Sequence, residues 1–234
     1  MTPTNSTTPT STPTPTPTHS LADPRIKAVL SRLFEGAEQD GITAARMGEA
    51  LPDDFGSLSP REQADAAAGI YMPISAAGGT LLYNLVRAVR PATVVEFGMS
   101  FGISTLYLAA AVRDNGTGRV VTTELSADKI AAARAGFAEA GLDDLITVLP
   151  GDARDTLGAL ETPPDLLLLD GWKDLCLPVL RLLEPRLRPG TLVVADDVDL
   201  PNLRPYLDHV RDPANGYESV TFPVEDGMEI SCRL

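Results

Sequence analysis

Five short apolar runs alternate with helical stretches along the second half of this 234-residue chain, and four of those runs end in a carboxylate. The four are Val94-Val95-Glu96, Val120-Val121-Thr122-Thr123-Glu124, Leu166-Leu167-Leu168-Leu169-Asp170 and Leu192-Val193-Val194-Ala195-Asp196-Asp197. Leucine and β-branched runs flanked by helices read as parallel strands buried on both faces. The carboxyl ends of such strands are where open α/β sheets take their ligands. An acid buried there is costly unless it holds a cation, a hydroxyl or a positively charged substrate. This pattern constrains both the fold and the position of any site.

The expected strands lie at about 93–97, 118–124, 145–149, 165–170 and 191–196. Each is followed by a helix: one reaching Arg113, one from Ser126 to about Ala140, a short one after Gly151-Asp152, one ending before Pro189-Gly190, and one at 201–211. Two further strands, near 217–224 and 228–233, close on Asp226-Gly227, a strong hairpin turn signal. The fold class is therefore α/β, a doubly wound seven-stranded, mostly parallel sheet with a terminal antiparallel hairpin. Ahead of it stands a helical section. Residues 25–38 carry apolar side chains at helical spacing, Ser59-Pro60-Arg61-Glu62 is a capping box, and Leu81 to Val89 mark a third helix. A single domain over 21–234 is expected, with helices over 21–90 and the sheet over 91–234.

Residues 1–18 hold nine Thr and five Pro without a charge or an aromatic. Such a stretch cannot bury enough apolar surface to offset its ordering entropy, so a disordered tail is expected over 1–20. It has neither the basic start nor the apolar run of a secretory signal. No membrane-spanning segment is evident, and two cysteines, Cys176 and Cys232, fit a reduced, cytoplasmic protein. The net charge of −13 argues against a nucleic-acid substrate. With His19 in the tail, His209 is alone in the domain, which disfavours serine-histidine catalysis and excludes a multi-histidine zinc site. A general base has to be a carboxylate, a lysine or a tyrosine.

Two constellations carry the chemistry. In the first, Gly98 and Gly102 sit at the turn after the first strand, where glycine lets a backbone approach a ligand. The spacing is Gly-x-x-x-Gly, unlike the Gly-x-Gly-x-x-Gly of dinucleotide binders. Glu124 is placed to accept both hydroxyls of a ribose, and together these favour an adenosine-type cofactor. In the second, Asp170 and Asp196-Asp197 end neighbouring strands, close enough to share one ion. Three hard oxygen donors suit Mg²⁺. Capping of the following helix is the alternative reading of Asp196-Asp197. Lys173 stands beside them as one of only three lysines against 16 arginines. Lysine can give up its proton where arginine cannot, which hints at proton transfer.

With these residues in view, the chain resembles the class I S-adenosylmethionine-dependent O-methyltransferases of the catechol O-methyltransferase type. The likeness covers most of residues 68–234. It is carried by Met72-Pro73-Ile74-Ser75, Val94-Val95-Glu96-Phe97-Gly98, Leu169-Asp170-Gly171-Trp172-Lys173-Asp174 and Leu192-Val193-Val194-Ala195-Asp196-Asp197-Val198. Tyr206-Leu207-Asp208-His209-Val210-Arg211 resembles the family's late helix. The resemblance implies a Rossmann-like sheet, S-adenosylmethionine as cofactor and a divalent cation, Mg²⁺ by preference, held by Asp170, Asp196 and Asp197. It implies that Lys173 takes the proton of a substrate hydroxyl, with Asp170 beside it in the catalytic group. It puts the methionine moiety on Glu96, Gly98 and Ser104, the ribose on Glu124 and adenine against Trp172 with Asp152-Ala153-Arg154 beside its edge, and it counts Asp170 among the cofactor-binding residues. Met72 would line the methyl-transfer region. Three positions depart from the family: Asp197 replaces an asparagine, Gly171 replaces a bulky residue, and no acid near 217–221 matches the one that steadies a second catechol hydroxyl. The implied acceptor is a small, hydroxylated, phenolic metabolite, with no nucleic acid or membrane partner and a possible homodimer. A metal-independent methyltransferase and a nicotinamide-dependent oxidoreductase are the competing readings.

Overall fold

The computed structural model describes residues 19–48 and 55–234. The expected tail over 1–18 lies outside them. Its boundary falls earlier than residue 20, because Ser20 is buried and its hydroxyl and amide both donate to Asp114. That contact ties the chain to the helical layer before the first helix begins.

Helices α1 (Pro24–Ala37), α2 (Asp40–Gly48), α3 (Pro60–Ala66) and α4 (Ala76–Val89) form the front section. Asp23 and Ser75 cap α1 and α4, and Ser59 with Glu62 closes the expected capping box on α3. Helix α2 was not anticipated. From Thr93 onward the alternation runs β1 (Thr93–Phe97), α5 (Ile103–Asn115), β2 (Arg119–Glu124), α6 (Ala127–Ala140), β3 (Ile146–Pro150), α7 (Ala153–Thr156), β4 (Leu166–Leu169) and α8 (Lys173–Leu183). It closes with β5 (Leu192–Ala195), α9 (Arg204–Arg211), β6 (Tyr217–Phe222) and β7 (Met228–Arg233).

The strand order is β3-β2-β1-β4-β5-β7-β6, with only β7 antiparallel to its neighbours. The order reverses between β1 and β4, whose pairing brings Phe97 opposite Leu169. That is the switch point at which a doubly wound sheet opens a crevice.

Side chains alternate across the pleat, so each strand feeds two cores. Val94, Val120, Leu166 and Val194 pack with Leu106, Phe137 and the front helices. Val95, Phe97, Leu167, Leu169 and Val193 pack with Val179, Leu180 and Tyr206 on the other face. Every residue of β1 is buried, as the continuous apolar run required. Among the described residues no helix is long and apolar enough to cross a membrane.

Candidate active site

At the carboxyl ends of β1, β2, β4 and β5 lies a cavity of about 610 Å³. Met72, Gly98, Ser104, Glu124, Asp152, Ala153, Asp170, Trp172, Lys173, Asp196 and Asp197 all line it, which brings together every expected site residue except one.

The exception is Glu96. It is fully buried under the cavity and accepts hydrogen bonds from the hydroxyls of Ser104 (2.6 Å), Thr105 and Thr122 (2.5 Å each). Pleat alternation explains the difference: Glu96 shares the face of Val94, under α5, whereas Phe97 shares the opposite face. Glu96 thus reaches a ligand only through Ser104. Burial pushes its carboxyl up to about 7, against the three hydroxyls that pull it down.

The glycines of the turn answer first to packing. A Cβ on Gly98 would stand 2.5 Å from the backbone of Gly171, and one on Gly102 2.5 Å from the Phe137 ring. Both also have positive φ, 93° and 86°, which glycine adopts without strain. At Gly171 the room for a side chain is taken by a neighbour: a Cβ there would meet the Phe97 ring at 2.4 Å. Phe97 lines the cavity in place of a side chain at 171. Gly171→His should therefore overpack the wall and lower stability by about 1–3 kcal/mol, seen as a fall in Tm. In a Phe97→Ala background, itself less stable, the same substitution should cost much less; an equal cost in both backgrounds would rule the contact out.

At one end of the cavity, Glu124 accepts the amides of Ser100, Leu125 and Ser126 at 2.8–2.9 Å. Trp172 meets Phe55 edge-on, with ring centroids 6.0 Å apart. Asp152 caps α7 through the Arg154 amide and pairs with the Arg154 guanidinium at 2.6 Å. The hydrogen bonds from Arg154 hold its carboxyl below the usual range.

At the other end, Lys173 donates to Asp170 Oδ1 and Asp197 Oδ2, both at 2.9 Å, with only 8% of its surface exposed. Burial pushes the ammonium down, but the two carboxylates outweigh it and hold Lys173 above the ordinary lysine range. Burial also raises Asp170, and it raises Asp196 to about 8 with help from its two acidic neighbours. One oxygen each from Asp170, Asp196 and Asp197 lie within 4.8 Å of one another. Asp196 Oδ1 is buried with no hydrogen-bond partner among the described residues. Buried oxygens are normally satisfied, so this donor set fits a hard divalent cation.

Among the described residues, five that are not glycine have positive φ, and four of them line this cavity: Met72 (45°), Ser100 (48°), Asp197 (60°) and Glu225 (52°). Strain of about 1–3 kcal/mol per residue persists only where the surroundings impose it, and such residues cluster at working sites. Ser100, Lys129, Phe97 and Glu225 were not among the expected site residues. Lys129 alone had a signal in the sequence, as one of the three lysines.

Comparison with known proteins agrees with this geometry. A model described as a methyltransferase domain matches residues 95–198. Catechol O-methyltransferase B of Danio rerio is 32% identical over 170 residues, covering 67% of this chain and 63% of that protein. Catechol O-methyltransferase of Sus scrofa is 34% identical over 140 residues, covering 57% of this chain and 74% of that protein. The crystal structure of cofactor-bound Rv0187 from MTB superposes with a TM-score of 0.63 at 26% identity, covering 78% of this chain and 90% of that one. An O-methyltransferase from Bacillus cereus in complex with SAH shares the fold, with a TM-score of 0.63 at 22% identity over 86% of this chain and all of that one. The oxidoreductase reading falls, since neither the turn spacing nor these relatives support it. The chain belongs to the class I S-adenosylmethionine-dependent O-methyltransferases, within the catechol O-methyltransferase-like family.

Proposed function

We propose that the protein methylates a hydroxyl of a small phenolic metabolite, using S-adenosylmethionine and a divalent cation held by Asp170, Asp196 and Asp197. One observation carries this reading. A single cavity joins a ribose-accepting glutamate and an indole at one end to three converging carboxylates and a lysine at the other.

S-adenosylmethionine, when bound, would supply a methyl group on a sulfonium to an oxygen nucleophile. A divalent cation would be held by Asp170, Asp196 and Asp197 and would lower the pKa of a hydroxyl placed against it. The rest falls to this chain's own residues. Glu124 exchanges backbone amide partners for ribose hydroxyls. Trp172 and Phe97 wall the adenine. The first turn of α5 offers Ser104, fixed by Glu96, to the methionine moiety. Lys173 accepts the hydroxyl proton at Nζ once its ammonium, released from Asp170 and Asp197, has given up a proton to solvent. Met72 covers the methyl-transfer region. Holding two reactants in line supplies about 7–11 kcal/mol of the barrier in favourable cases.

Titration calorimetry with S-adenosylhomocysteine tests the cofactor half, and chelation tests the metal half. Binding is expected, together with at least a tenfold loss of methyl transfer to catechol after EDTA and dialysis, reversed by Mg²⁺. Absence of S-adenosylhomocysteine binding would overturn the reading, and unchanged turnover after chelation would move the chain to the metal-independent alternative.

A further inference from the structure

The buried lysine of the cofactor half has no part in the mechanism above. Lys129 lies in the first turn of α6, is 3% exposed and turns its side chain into the cavity wall. Its Nζ donates to Ser100 Oγ at 3.1 Å and stands 5.6 Å from the centre of the Phe101 ring. Both of those neighbours hold Tyr71. The Ser100 hydroxyl donates to the Tyr71 carbonyl at 2.6 Å, and the Phe101 ring stacks on the Tyr71 ring with centroids 4.0 Å apart and planes at 17°.

The amide side of the same segment is held from α2. Asp40 takes the Tyr71 amide on one carboxylate oxygen and the Met72 amide on the other, both at 2.8 Å. Met72, at φ 45°, is thereby fixed in a strained left-handed conformation at the cavity mouth. Ser100, at φ 48°, is strained as well, and its amide donates to Glu124 at 2.9 Å. One serine therefore connects the ribose-accepting carboxylate, the buried ammonium and the Tyr71–Met72 backbone. Burial disfavours the Lys129 charge, while Glu124 and Asp40 favour it from β2 and α2. An ammonium between two carboxylates of different elements ties those elements together.

We propose that Lys129 is a positioning residue that, through Ser100 and Phe101, holds the Tyr71–Met72 strap over the cavity and couples it to ribose binding at Glu124. The proposal rests on the adenosyl-cofactor reading for the coupling, but not for the strap. A ribose drawing Glu124 away from the Ser100 amide changes the support of Ser100. Lys129 keeps that serine's hydroxyl aimed at Tyr71 throughout.

Amide hydrogen exchange at residues 71 and 72, with and without S-adenosylhomocysteine, tests both parts on the full chain. Without ligand, Lys129→Met should speed exchange at these two amides at least tenfold while leaving amides of α8 unchanged. In the wild-type protein S-adenosylhomocysteine should slow 71–72 exchange at least tenfold. In Lys129→Met it should slow it less than threefold although it still binds, and Lys129→Arg should restore most of the response. Ser100→Ala, which removes the hydroxyl link and keeps the ammonium, should behave as Lys129→Met does and serves if that variant fails to fold. Unchanged 71–72 exchange in the unliganded variants would overturn the strap. Full ligand protection in Lys129→Met would overturn the coupling. If S-adenosylhomocysteine fails to bind wild-type protein, the cofactor reading falls, and the unliganded comparison still decides the role of Lys129.

Discussion

Lys173→Met lowers kcat for methyl transfer by a factor of about 10²–10⁴, the usual contribution of a positioned general base, and leaves S-adenosylhomocysteine affinity within about threefold. Two roles of Lys173 have to be separated. Its ammonium is clasped by Asp170 and Asp197 at 2.9 Å each, so it is both a candidate base and the counter-ion of an acidic cluster. Removing one partner of a buried ion pair costs about 3–5 kcal/mol. The loss here is smaller, because Asp197 is one-third exposed and Asp170, already raised by burial, can take a proton. Lys173→Met should therefore lose more stability at high pH than at low pH, and be rescued in stability but not in turnover by Mg²⁺. Lys173→Arg separates the roles: it keeps the charge and the ion pairs but cannot release its proton. Near-normal stability with turnover as low as in Lys173→Met identifies a base. Near-normal turnover in Lys173→Arg shows that the charge alone matters, and the base assignment fails.

The convergence of Asp170, Lys173, Asp196 and Asp197 was legible because its geometry follows from local rules. Asp170 and Lys173 are three residues apart across the β4–α8 turn, and β4 pairs β5 in register, so Asp196 and Asp197 arrive alongside. The same parallel register aligned Gly98, Glu124 and Asp170 at one sheet edge. What the sequence did not show is that Glu96 stands behind the cavity wall, not on it. Phe97 is the last residue of β1, and alternation turns Glu96 to the α5 face, which Val94 and Phe97 already implied. Helix α2 was missed because Asp40–Gly48 is short and contains Gly41, Thr43 and Gly48, weak helix formers. Its place depends on Asp40 binding the amides of Tyr71 and Met72, a contact 31 and 32 residues away. The meeting of Lys129 with Ser100 was invisible for the same reason, because only the packed turn after β1 brings the two together.

The buried carboxyl of Glu96 should make the fold less stable as pH rises. Its ordinary pKa of 4.5 is pushed to about 7 by burial in the folded protein. An acid whose folded pKa is raised binds more protons folded than unfolded between those two values. Its contribution is therefore fully present below about 4.5 and is lost as pH rises through about 7. At about 1.4 kcal/mol per pH unit, that window amounts to about 3 kcal/mol. Asp196, raised to about 8, slopes the same way, so Glu96 has to be isolated by comparison. Glu96→Gln keeps an acceptor for the surrounding hydroxyls, lets Thr105 or Thr122 accept from the new amide, and removes the titration. Denaturant unfolding at pH 5 and pH 8 should show the wild-type protein losing about 3 kcal/mol more than Glu96→Gln over that span. Equal losses would mean that the hydroxyls of Ser104, Thr105 and Thr122 already keep Glu96 ionised at pH 5. The consequence reaches the site, because Ser104 is the one of the three that lines the cavity. In the neutral carboxyl one oxygen carries a proton, and the hydroxyls around it must share donors and acceptors differently from their arrangement around a carboxylate. Ionisation of Glu96 then resets the hydroxyl that α5 presents to the methionine moiety. Cofactor affinity should follow the same pH window in the wild-type protein and be flat across it in Glu96→Gln.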